Sequence, residues 1–188
     1  MLKNEVAKAL KVVQEGGIIL YPTDTIWGIG CDAANTEAVK KIFALKQREE
    51  SKSMIILLDT DNKLESYIKE VPALAYDLIE FAENPLTLVM PGAKNISPAL
   101  IAADGSVGVR VVKHSFCEQL IQRLRRPLVS TSANTSGEPS PQYFSMVEQR
   151  IIDGVDYVVE LEQDSKEIKN PSTIMRLSPG GQFEFLRR

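Results

Sequence analysis

The groups in this 188-residue chain best suited to chemistry sit just past apolar runs. Ile18–Tyr21 leads through Pro22 into Thr23, Asp24 and Thr25, which place two hydroxyls and a carboxylate at the end of an expected strand. The whole stretch 18–33, IILYPTDTIWGIGCDA, carries no charge except Asp24 and Asp32, a composition suited to a pocket wall rather than a surface. Gly28 and Gly30 let the backbone bend or approach another group closely. A second polar stretch, STSANTSGEPSP, follows Leu128-Val129 and supplies hydroxyls at Ser130, Thr131, Ser132, Thr135, Ser136 and Ser140 around Gly137. Backbone N–H groups and hydroxyls in such loops suit phosphate oxygens; a solvated turn has the same composition.

Cations supply the complementary requirement. Lys46 and Arg48 stand at the end of a helical pattern, where either alone complements the helix dipole. Two cations two residues apart in an extended segment point the same way and suit a polyanion, arginine's planar fork matching a carboxylate or phosphate. Lys46/Arg48/Lys52, Arg110/Lys113 and Arg123/Arg125/Arg126 form three basic clusters, for each of which a solvated face is the plain alternative. Arg110 is the isolated cation of an alternating run, Ser106–Val111, and faces either solvent or a buried partner, with solvent favoured. Neither a Walker-type glycine loop nor GxGxxG occurs. His114 is the only histidine, which argues against a His-rich metal site; a bound metal would be Mg²⁺ held by substrate phosphate and water.

The elements that must position these groups follow from periodicity. Residues 3–15 form a helical face of Val6, Ala9, Leu10 and Val13, stopped by Gly16-Gly17. Asn35 caps a second helix with Val39, Ile42 and Phe43 inward. Strands are expected at 18–21, 54–58, 86–90, 107–112, 128–130, 155–161, 173–177 and 183–186, the last two joined by the turn SPGG. Short helices are expected after Asp61, from Pro72, from a capping box at Ser115–Glu118, and from Ser140-Pro141 with Phe144, Val147 and Ile151 on one face. Irregular alternation of strands and helices predicts an α/β (α+β) fold, a twisted mixed β-sheet flanked by helices.

Composition sets the outer limits. Hydrophobic residues at 44% and charged residues at 25% describe a soluble globular chain, expected as a single domain over 1–188. No apolar run approaches the about 18 residues of a membrane span, and the N-terminus lacks a signal-peptide core. Cys31 and Cys117 stand in no metal or redox spacing, so reduced core thiols and a cytoplasmic home are expected. A net charge of −3 argues against coating nucleic acid by bulk charge.

Taken together, YPTDTIWGIGCDA, Lys46-x-Arg48, Ser106–Arg110, STSANTSGEPSP with its Ser132-x-Asn134, and Asn170-Pro-Ser-Thr173 resemble, in order and spacing, the YrdC family, whose enzymes make threonylcarbamoyl-adenylate. The resemblance covers essentially the whole chain. It implies that L-threonine, bicarbonate and ATP become threonylcarbamoyl-AMP, pyrophosphate and water, with Mg²⁺ accompanying the triphosphate. By that likeness, Lys46 and Arg48 are the catalytic pair. Thr25, Arg110, Ser130 and Ser172 hold threonine, while Lys46, Arg48, Lys52, Ser106, Ser132, Asn134, Ser140 and Arg187 surround the nucleotide. Gly28 and Gly30 keep the floor low beneath the adenylate. The short form implies separate tRNA-modification proteins as partners.

The chain departs from the family's pattern in five places. Asp24 replaces a glutamate, Trp27 a tyrosine and Glu49 a proline; Glu83-Asn84-Pro85 replaces a Pro-Gly-Pro; and Leu57 stands where some longer relatives carry a histidine. The competing readings are a non-catalytic, double-stranded RNA- or tRNA-binding protein of the same fold, resembling the YciO branch, and a carbamoyl-transfer domain of a hydrogenase-maturation protein. The second would require zinc-binding and acylphosphatase portions, for which the sequence offers no candidate.

Overall fold

The computed structural model describes residues 1–47, 49 and 54–188. Arg48 and Lys52 therefore lie outside the described residues. Among the described residues no helix is long and apolar enough to cross a membrane.

Helix α1 (Leu2–Gln14) buries Val6, Ala9 and Val13 and ends where Gly16 takes a left-handed φ of 80°. Strand β1 (Ile19–Tyr21) turns through residues 22–27 into β2 (Gly28–Gly30), its antiparallel partner, with Tyr21 opposite Gly28. The glycine-spaced segment is thus a strand. A Cβ on Gly30 would stand 2.2 Å from the Val129 carbonyl oxygen and 2.7 Å from Tyr21 Cε1. A Cβ on Gly28 would meet Ser130 Oγ at 3.3 Å. Close packing of the hairpin on its neighbour, rather than room beneath a ligand, explains Gly30.

Helix α2 (Thr36–Lys46) starts at Asn35, whose side chain accepts from the Ala38 N–H, and ends at Gln47 in a left-handed conformation. Then come β3 (Ile55–Leu58), a 3₁₀ turn, α3 (Leu64–Tyr67), α4 (Ala73–Glu80), β4 (Leu86–Pro91) and β5 (Ser106–Val111). Helix α5 (Ser115–Leu124), β6 (Leu128–Ser132), α6 (Gln149–Gly154), β7 (Tyr157–Val158), β8 (Thr173–Leu177) and β9 (Phe183–Arg187) complete the chain. The strands form one mixed sheet in the order β7-β1-β2-β6-β3-β5-β4-β8-β9, with parallel and antiparallel pairs interspersed.

The period-two alternation of each strand divides the core between the two faces. One face buries Leu20, Ile29, Ile56, Leu58, Val109 and Met175 with residues of α2, α4 and α6. The other buries Ile19, Tyr21, Leu57 and Leu128 beneath α1 and α5, through Val6, Phe116 and Leu120. Leu57 is therefore a core residue under α5.

Five local expectations need correction. Ser115 is the first residue of α5 and His114 its cap, with no side-chain cap bond, because the His114 ring is turned to Glu162 instead. Ser140-Pro141 opens no helix. The residue before a proline favours extended backbone, and Phe144 leaves the expected helical face to pack on Trp27, with ring centroids 4.9 Å apart. Pro72 caps α4 rather than entering it. Pairing of β7 stops at Val158, while β6 runs on to Ser132, making Thr131 and Ser132 strand rather than loop.

Gly30→Ala is expected to cost about 3 kcal/mol, the upper end of overpacking penalties, because backbone and a buried ring must move. Gly180→Ala, whose Cβ would meet nothing within 4 Å, should stay within about 0.5 kcal/mol of the parent. Urea unfolding midpoints of the two variants provide the check.

Candidate functional site

Helices α1 and α5 cover only part of their face of the sheet. Beyond their cover, the residues on that face become small or polar. The strand registers line up Gly28, Ser130, Ser132, Ile55, Gly108, Arg110, Thr87 and Ile174 as a floor. Above it lies an open cavity of about 240 Å³, walled also by Thr25, Trp27, Ser140, Pro171, Ser172 and Arg187. Seven of the expected site residues, Thr25, Arg110, Ser130, Ser132, Ser140, Ser172 and Arg187, meet here from five separate parts of the chain.

Arg110 is 3% exposed, so the expectation that it faces solvent is wrong. The alternation of β5 points it onto the partly covered face, where a cation must be paired to be tolerated. Its Nη1 donates to Thr25 Oγ1 at 3.0 Å, and its Nη2 stands 3.3 Å from Asp24 Oδ1. Nε is buried and has no hydrogen-bond partner among the described residues. The turn that grips it is braced internally. Thr23 Oγ1 donates to the Ile26 carbonyl at 2.8 Å and accepts from the Thr25 N–H at 3.0 Å. With the Thr23 proton so used, Thr25 Oγ1, 3.0 Å away, is the donor of that hydroxyl pair.

The second cation arrives by a different device. Met175 pairs with Phe185, but Ile174 pairs with Arg187, so Leu186 is one extra residue in β9. This bulge reverses the alternation: Phe183 and Phe185 share one face with Leu177 and Met175, while Arg187 joins Ile174 on the cavity face. Arg187 Nε and Nη2 donate to the Ser172 carbonyl at 3.0 and 2.8 Å. Ser172 Oγ is in turn 2.8 Å from Thr87 Oγ1. Burial, then the Arg110 charge, pushes the Arg187 pKa down from its ordinary value; a guanidinium nevertheless stays charged in water. Among the described residues, with Asp24 balancing Arg110, the cavity retains about one unit of positive charge.

Three further expected residues do not line this cavity. Lys46 is the buried last residue of α2, not part of an extended segment, and its Nζ donates to the carbonyls of Ser132 and Asn134. Its own carbonyl accepts from the Ser136 N–H at 2.8 Å, so Lys46 fastens the end of α2 to the turn after β6. Asn134 donates to the Thr135 and Glu138 carbonyls, while its Oδ1 is buried without a hydrogen-bond partner among the described residues. Ser106 donates from Oγ and N–H to Asp104, at 2.6 and 3.0 Å. Asp24 and Thr87 are the site residues that the sequence reading did not assign. A lone hydroxyl inside the apolar strand Leu86–Pro91 was the available signal for Thr87. Cys31 and Cys117 are buried free thiols, as expected, and burial pushes both pKa values up.

A strap over residues 162–172 closes one side of the site. Lys169 Nζ donates to the Thr23 carbonyl and to Glu162, both at 3.2 Å, and Glu162 Oε1 lies 2.8 Å from His114 Nε2. The strap thereby holds Ser172 and the threonine turn together.

The family model Sua5/YciO/YrdC, described as "Telomere recombination", matches residues 11–188, and the chain belongs to that family. It is 33% identical over 184 residues to a threonylcarbamoyl-AMP synthase of Pseudoalteromonas translucida (strain TAC 125), covering 96% of this chain and 97% of the relative. It is 34% identical over 173 residues to the protein of the same name in Pseudomonas aeruginosa (strain UCBPP-PA14), with 92% of each chain covered. Among solved structures, Sua5 of P. abyssi complexed with L-threonine superposes with a TM-score of 0.81 at 29% identity, over 92% of this chain and 50% of the other. The chain thus spans about half the length of that Sua5. E. coli YciO superposes at 0.85 with 21% identity, over 100% of this chain and 90% of the other, a likeness of fold. The expected family and mixed α/β sheet are borne out.

Burial pushes the Glu162 carboxyl up, but the hydrogen bond and charge of His114, followed by those of Lys169, outweigh it and hold the group below its ordinary value of 4.5. A depressed folded pKa means that the stabilisation is complete above the unfolded value and fades as pH falls through the folded one. Glu162→Gln should therefore be less stable than the parent at pH 6. The gap should close between about pH 5 and pH 3, as read from urea midpoints across that range.

Proposed function

We propose that the chain is a threonylcarbamoyl-AMP synthase serving threonylcarbamoyl-adenosine modification of tRNA. The observation that carries this reading is the hydroxyl-lined cavity with two guanidiniums, Arg110 and Arg187, whose positive charge exceeds the negative charge of the one carboxylate paired with them among the described residues. The near full-length likeness to relatives bearing that name supports it. The name of the Sua5 complex supports L-threonine as the amino acid.

In this reading the threonine amine captures bicarbonate, releasing water and leaving a carbamate. A carbamate oxygen then attacks the α-phosphorus of ATP, the bond to the β-phosphate oxygen breaks, and pyrophosphate leaves, which makes the protein a nucleotidyltransferase. Such a step needs positioning and charge stabilisation rather than a covalent enzyme intermediate. Arg110 and Thr25 receive the amino acid, with Ser130 and Ser172 beside it. Arg187, Ser132 and Ser140 face the phosphates, with Arg48 and Lys52 completing the nucleotide side. Lys46 and Asn134 act on the nucleotide side by shaping the turn after β6. Mg²⁺ enters on the triphosphate; among the described residues no group of three or more His, Cys, Asp or Glu side chains is placed to hold an ion by itself. Buried free thiols support a cytoplasmic home, and separate proteins pass the carbamoyl group to tRNA.

Purified protein given ATP, Mg²⁺, bicarbonate and L-threonine is expected to release pyrophosphate, and omission of threonine to stop it. Arg110→Ala should lower threonine-dependent release at least ~100-fold, the loss of a buried charged anchor. No threonine-dependent release, together with salt-sensitive binding of duplex RNA, would instead favour an RNA-binding protein of this fold.

A further inference from the structure

Asp24 and Thr25 are consecutive residues that hold the two ends of one guanidinium. Thr25 Oγ1 accepts from Arg110 Nη1 at 3.0 Å, and Asp24 Oδ1 lies 3.3 Å from Nη2. The other Asp24 oxygen accepts from the Lys113 N–H at 3.1 Å. That amide sits just beyond the end of β5, the strand carrying Arg110, so one carboxylate spans from the arginine's head to the backbone after its own strand. The Asp24 side chain is 10% exposed and that of Arg110 4%, which leaves little room for water to replace either partner. An arginine side chain has four freely rotating bonds before its planar head; fixing both Nη groups determines which edge remains for a ligand. Among the described residues, Asp24 Oδ1 has an ion pair but no aligned hydrogen bond, so its contribution to Arg110 is chiefly its charge.

We infer that Asp24 is a positioning residue for the amino-acid side of the cavity, acting through Arg110 to set where a substrate carboxylate is received. The inference rests on the proposed function. It carries a distinctive signature, because removing the Asp24 charge has two opposed effects. The guanidinium loses its orientation, which weakens recognition of threonine. The cavity also becomes more positive, which leaves attraction for the ATP phosphates equal or greater. A residue needed only to support the turn would disturb both substrates together.

The test is steady-state pyrophosphate release by the full chain and by Asp24→Asn, Asp24→Ala and Asp24→Glu, with threonine and ATP varied separately. Asn keeps the shape and the acceptor for the Lys113 N–H, so it stays informative even where Ala impairs folding. The KM for L-threonine should rise about tenfold in Asp24→Asn, the size of one charge-assisted contact. The KM for ATP should be unchanged or lower, and Asp24→Glu should return the threonine KM to within about threefold of the parent. A threonine KM within twofold of the parent in Asp24→Asn, or an ATP KM rising in parallel, overturns the inference while the proposed function stands. A parent chain with no threonine-dependent release overturns both.

Discussion

Burying a guanidinium on the face of a β-sheet is the constraint around which the site is arranged. Arg110 lies on β5, between β3 and β4, where little solvent reaches and an unpaired charge is not tolerated. The turn between β1 and β2 therefore has to arrive with a carboxylate and a hydroxyl at adjacent positions. For that, the β1–β2 hairpin must lie close against β6, which the absence of a Cβ at Gly30 permits. Thr23 makes the turn rigid, by occupying the Ile26 carbonyl and the Thr25 N–H. The opening turn is thus a receptor for an arginine before it is a receptor for anything else.

The division of one sheet face explains why the cavity lies where it does. Leu128 and Ser130 are two residues apart on β6 and point the same way, yet the first is core beneath α5 and the second is cavity floor. The same holds for Ile19 and Tyr21 on β1 against Gly28 on β2. Helices α1 and α5 pack against one another and reach only partway across. An apolar side chain past their edge would face water, and a large one would fill the space a ligand needs. Small and hydroxylic residues at those positions are the economical solution, and they are what the chain places there.

Much of this was legible in the amino-acid sequence because the signals were local. The apolar strand ending in Pro-Thr-Asp-Thr, the Asn35 cap and the apolar pulse of residues 54–58 depend on neighbours a few residues away. The direction of Arg110 did not, because alternation gives two faces and only the reach of α5 tells which one is buried. Arg187 was assigned by likeness alone. Its placement depends on a bulge, and a bulge is a property of two strands, invisible in either one. Lys46 misled in the opposite sense. A lysine ending a helix normally reaches for water, but here the β6 turn brings carbonyls to it, a tertiary arrangement that helix periodicity does not encode.

The two cations of the cavity stand on unequal supports. Arg110 comes from an interior strand hydrogen-bonded on both sides, with its head held by two side chains. Arg187 comes from β9, the outermost strand, whose residues are all exposed and whose only ladder is with β8. Elements with one neighbour and little buried surface open at lower free energy than those in the middle of a sheet. The contact that ties Arg187 to the cavity wall is the Ser172 carbonyl, and Ser172 is itself held at Thr87 on β4 and lies at the end of the strap anchored by Lys169. The Arg110 side of the cavity is therefore built into the sheet. The Arg187 side is assembled from an edge strand, a strap and a turn, and by the same argument it opens more readily than the Arg110 side.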